Sequence, residues 1–229
     1  MSHARASSWI FMATLGLWCA SAARAQLVTV GAEAGVLVSD ARSFELSGGE
    51  READALAGYQ VGVPIEVGLA SGFGFATGIH FVRDGYRLEY RDSLGLGETV
   101  TYRYGSLEVP LLVKAGYGWD DFSLAGVAGL AYRRVLTLRG EWTDRLAPGG
   151  VTLPGEEADL PVGGSPVGVP PDRLFLHVGA QGAFPTDFGK VYLDLRWRRQ
   201  LVDAFGDYRA RERLSSVSLG LGVAYLLGG

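Results

Sequence analysis

The side chains best equipped to bind, titrate or relay protons recur at alternate positions of apolar runs: Glu33, Glu66, His80, Glu108, Lys114, Arg133, His177, Asp194, Arg196 and Arg198. With the histidines set aside, four acids face four bases. An unpaired charge held away from water costs several kcal/mol even after relaxation. A balanced set therefore predicts mutual pairing into a polar core, in which each group satisfies another. A gate, a proton relay or a solute site built from the same charges is the alternative. His80 and His177 have no third ligand at a metal-site spacing, so no metal is expected and paired core histidines are. Serines are present, but no G-x-S-x-G nucleophile turn is, and no enzymatic activity is expected. The glycines at Gly163 and Gly164 lie in a loop with no strand-to-helix context, so no phosphate site or cofactor is expected.

The elements that carry these residues read as strands. The chain has 229 residues, 34 of them glycine, and 11% are aromatic. Glycines inside apolar runs oppose helix by about 1 kcal/mol each relative to alanine. Beyond the N-terminus no apolar run reaches the roughly 18 residues of a membrane helix. Period-2 alternation instead predicts eight strands, near 27–38, 56–70, 73–90, 99–117, 122–138, 173–184, 190–202 and 214–227. The joins at Ser71-Gly72, 118–121 and 185–189 are tight, whereas those at 39–55, 91–98, 139–172 and 203–213 are longer and polar. Short turns on one rim and long loops on the other are the layout of an outer-membrane barrel, with both termini on the periplasmic side.

The two faces of each strand separate a membrane barrel from a soluble one. One face of 59–70 reads Tyr59, Val61, Val63, Ile65, Val67, Leu69, and the other reads Gln60, Gly62, Pro64, Glu66, Gly68, Ala70. The same division recurs over 107–117 and 217–225. A soluble barrel turns its apolar face inward and a solvated, charged face outward. Here the second face is mostly small, with few charges, which suits a narrow lumen inside a lipid-facing wall. The predicted fold is all-β: an eight-stranded antiparallel up-and-down transmembrane β-barrel. Its interior has room for little beyond its own side chains. Two aromatic belts are expected: Phe73, Phe75, Tyr117, Trp119, Phe122, Phe184 and Tyr225 near the short turns, and Tyr86, Tyr90, Tyr102, Tyr104, Tyr132 and Trp197 near the long loops.

Residues 1–25 are read as a secretory signal peptide and 26–229 as the barrel domain. Arg5 supplies the positive start, Trp9 to Leu17 the apolar stretch, and Ala23-Arg24-Ala25 the small-x-small cleavage pattern. Cys19, the one cysteine, would leave with the signal, and no disulfide or Cys-based metal site is expected. The net charge of −4 argues against a nucleic-acid partner.

The run Leu107 to Gly118, LEVPLLVKAGYG, resembles the central strand of the PorT-like outer-membrane β-barrel family. Glu108, Pro110, Leu111, Leu112, Lys114, Tyr117 and Gly118 carry the likeness. The resemblance implies an eight-stranded porin-like barrel in the outer membrane of a Gram-negative bacterium. The expected function is a non-enzymatic membrane anchor or interaction protein, with a charge-plugged lumen and extracellular loops as its contact surface. A narrow or gated channel for small solutes is the alternative. The expected partners are the outer-membrane bilayer and proteins met through the loops; no oligomeric state is implied. The acidic, Pro/Gly-rich half of 139–172 lacks apolar periodicity and reads as a solvated loop.

Overall fold

A computed structural model describes residues 27–43, 50–69, 72–91, 97–145, 156–160, 162, 171–203 and 212–227. The segment 1–25, read above as a signal peptide, and most of the Pro/Gly-rich part of 139–172 lie outside these residues.

Eight long strands form the wall: β1 (Leu27–Ser43), β2 (Glu50–Gly68), β3 (Phe73–Arg91), β4 (Gly97–Gly118), β5 (Ser123–Arg145), β7 (Asp172–Thr186), β8 (Gly189–Asp203) and β9 (Glu212–Leu227). A short ninth strand, β6 (Glu156–Asp159), pairs with β5 above the level where β7 begins. Every neighbouring pair is antiparallel, and β1 pairs with β9, so the sheet closes on itself. Closure removes the unpaired edges that hydrocarbon could not satisfy.

Tight turns close one rim. The Leu69 N–H donates to the Phe73 carbonyl (2.8 Å) and the Trp119 N–H to the Phe122 carbonyl (2.7 Å). Gly72 takes φ +77° in the first of these turns, a conformation that side chains disfavour. At the opposite rim the strands run further than the alternation predicts. Residues 39–43, 50–55 and 139–145, expected in loops, continue the ladders, and 156–159 forms β6. Above an apolar belt the outward face turns polar, as at Arg83, Arg103 and Arg139, so the hydrophobic contrast that reveals a strand fades while its hydrogen bonding continues.

Outward-facing residues form a continuous apolar wall, among them Val63, Ile79, Val109, Leu111, Leu130, Leu195 and Leu221. Aromatics gird it at the short-turn rim, where Tyr117 and Trp119 rings lie 5.0 Å apart, Phe122 and Phe184 5.1 Å, and Phe188 and Tyr225 5.2 Å. The upper girdle differs from expectation. Tyr59, Phe81, Tyr132 and Trp197 form it on the outside, whereas Tyr86 and Tyr104 are buried. Both share the inward face of β3 and β4 with His80 and Glu108 and join a cluster with Leu138, Phe175 and Leu214, against which Tyr102 packs. The side chain of Tyr90 lies outside the described residues.

Candidate functional site

Strand parity places all eight predicted lumen charges, Glu33, Glu66, Glu108, Lys114, Arg133, Asp194, Arg196 and Arg198, on the inward face. They divide into layers. Nearest the short turns, Lys114 Nζ donates to Glu66 Oε2 (2.7 Å), and Lys190 Nζ donates to the same oxygen. Gln181 completes this layer, accepting from Lys114 and donating to Glu66 Oε1 (3.3 Å). A cavity of about 200 Å³ opens beside Glu66, Lys114, Gln181 and Lys190 at this end.

The middle layer centres on Glu33. It accepts from Gln60 Nε2 (2.7 Å) and Tyr192 Oη (3.2 Å), with Arg196 Nη2 at 3.8 Å. Arg196 Nε lies 2.6 Å from Asp194 Oδ1, a pair two residues apart on the inward face of β8. Arg198 donates to Gln60. Above it, Arg133 grips Glu108 Oε2 through Nε (2.8 Å) and Nη2 (2.6 Å), and Asp84 through Nη1 (2.5 Å). Arg198 Nη1 and His177 Nε2 approach Glu108 Oε1 at 3.8 and 3.6 Å. His80 is buried at this level, where it faces Glu108 across β3 and β4.

An aromatic and aliphatic cap overlies the charges. The Arg133 guanidinium stacks 4.0 Å over Phe175, and Arg173 4.6 Å over Tyr104. Tyr86 and Tyr104 share a hydrogen bond of 3.3 Å between their hydroxyls. Chemically, the lumen is a set of ion pairs and amides with a greasy lid. Among the described residues, no group of three or more His, Cys, Asp and Glu is arranged to hold a metal.

Sequence reading missed Asp84, Lys190, Gln181 and Tyr192. Parity could have found them: Asp84 continues the face of His80, and Lys190 and Tyr192 that of Asp194. Glycines make the space for the larger side chains. Gly62 opposes His80, where a Cβ would come within 2.1 Å of the imidazole. Gly222 opposes Tyr192, where a Cβ would come within 2.2 Å of the ring. Gly222→Val is therefore expected to destabilise the barrel by about 1–3 kcal/mol through overpacking. Urea unfolding followed by tryptophan fluorescence checks this; an unchanged midpoint would show that Tyr192 moves aside freely.

Residues 23–136 match the family model described as outer membrane protein beta-barrel domain, a stretch that runs into β5. Among solved structures, Neisserial surface protein A is similar at 14% identity, over 86% of this chain and 96% of that one, with a TM-score of 0.41. OprG from Pseudomonas aeruginosa is similar at 10% identity, over 89% and 96%, with a TM-score of 0.43. The outer membrane protease OmpT from Escherichia coli is similar at 11% identity, over 88% and 97%, with a TM-score of 0.38. Likenesses this remote carry no argument about role. No curated protein matches the sequence.

Proposed function

We propose that this outer-membrane β-barrel protein is a non-enzymatic membrane anchor or interaction protein, with a closed lumen and its long-loop rim turned to the cell exterior as the contact surface. The observation that carries the reading is the filled interior. Glu108, Arg133 and Arg198 are each 1% exposed, and their ion pairs lie beneath the packed tyrosine and phenylalanine cap. Water-filled pores need far more strands, whereas eight staves leave an interior that side chains fill. The likeness of Leu107–Gly118 to the PorT-like family supports the same architecture and adds no role. Export through a signal at 1–25, cleaved before Gln26, belongs to this proposal.

The test is conductance of the detergent-purified protein in a planar lipid bilayer. The expected result is a silent, heat-modifiable barrel. Discrete current steps that change with Glu66→Gln or Lys114→Gln would replace this reading with a narrow channel, for which the cavity beside Glu66 and Lys114 would be the periplasmic mouth.

A further inference from the structure

The outer wall above the apolar belt carries a second constellation that the lumen does not use. Arg83 on β3, Arg103 on β4 and Arg139 on β5 all face outward. Arg103 and Arg139 are direct cross-strand partners, and Arg83 opposes Gly105, two residues from Arg103. Like charges placed directly opposite on a sheet destabilise it unless an anion intervenes. Arg139 has its own counter-charges on β6, Glu157 Oε1 at 3.3 Å and Asp159 Oδ1 at 3.2 Å. Among the described residues Arg83 and Arg103 have no such partner.

These guanidiniums line a groove of about 430 Å³. Phe81 and Leu136 give it apolar lining, as do Leu160 and Val162, which also pack against the buried tyrosine cluster, and its one carboxylate, Asp159, is already paired with Arg139. The groove lies just above Phe81 and Leu107, where the uncharged belt ends. An arginine on the lipid face is expensive at the bilayer midplane and costs little at the interface. Its planar fork suits phosphate oxygens bidentately.

We infer that this groove holds the phosphorylated sugar headgroup of an outer-leaflet glycolipid, with Arg83 and Arg103 on the phosphate and the acyl chains running down past Phe81 and Leu107. The occupant is a lipid because the groove opens onto the lipid-facing wall, with apolar surface directly below the cations. The inference rests on the proposed orientation, with the long-loop rim outward, but not on a closed lumen.

The experiment titrates detergent-purified protein with fluorescent diphosphorylated lipid A in neutral micelles. Parallel titrations use the dephosphorylated lipid, inorganic phosphate and polyglutamate as competitors. Saturable binding that needs the phosphates is expected, weakened about tenfold for each guanidinium lost in Arg83→Gln and Arg103→Gln. Both positions are exposed and outside the lumen, so the variants should keep the parent's heat-modifiable mobility. Equal binding by parent and double variant, or no saturable binding, overturns the site. Competition by inorganic phosphate as strong as by the lipid makes it a free-anion site. Tighter binding of polyglutamate makes it an acidic-protein contact, which also overturns the lipid assignment. A conducting barrel that still binds the lipid would sink the closed-lumen reading and leave this one standing.

Discussion

Glu108→Leu is expected to destabilise the barrel by about 3–5 kcal/mol, because it strands the guanidiniums it neutralises. Glu108 is buried on the inward face of β4, and Arg133 donates to it twice while Arg198 stands 3.8 Å away. The leucine returns no acceptor. Arg133 keeps Asp84, but Arg198 is left with an amide oxygen, that of Gln60, in place of a carboxylate. Glu108→Gln should lose less, since its amide oxygen still accepts from Arg133. Urea unfolding in lipid vesicles, followed by tryptophan fluorescence, measures both. A loss under about 1 kcal/mol for Glu108→Leu would mean that water already solvates these guanidiniums. The lumen would then be wet, and the channel reading would gain.

The second large effect belongs to the outside. Leu111 is 68% exposed in the middle of the apolar wall. In a bilayer, Leu111→Arg should cost about 2–4 kcal/mol, the price of an arginine near the midplane. The same substitution at a solvated surface position would fall within about 0.5 kcal/mol. Folding into vesicles, followed by urea titration, separates the two. Leu107→Arg, closer to the upper interface, should cost less. A flat profile between the two positions would place the bilayer elsewhere on the wall.

Much of the architecture was legible because a strand's two faces sit in different media. Val61, Val63 and Ile65 against Gln60, Gly62 and Glu66 told which way β2 turns, and the same parity placed Glu33, Arg133 and Arg198 inward. Partners were not legible. Which inward charges meet depends on stagger between strands, and three ladders slip in register, at Ala55/Tyr59, Gly105/Ser106 and Leu174/Phe175. Nothing local in the sequence announces that Glu66 on β2 meets Lys190 on β8. The tyrosines misled for a different reason. Tyr86 and Tyr104 have the amphipathic character of interface residues, yet their positions in the alternation turn them inward, where they build the cap. Parity was the better guide than residue type.

The seam between β1 and β9 has a consequence in time. Its ladder runs from Val28 opposite Leu227 to Ser43 opposite Glu212, so nearly the whole chain separates the partners. Hairpins such as β4–β5 can zip as soon as their turn exists, but this pairing waits for the last strand to arrive. Loop-closure entropy must be met before such non-local contacts reward it, which makes assembly slow. Until then two hydrogen-bonding edges stay open, each able to capture the other or the edge of another chain. A protein with this connectivity depends during biogenesis on whatever shields those edges, and its yield should be governed by the rate of final closure more than by the strength of any single pair.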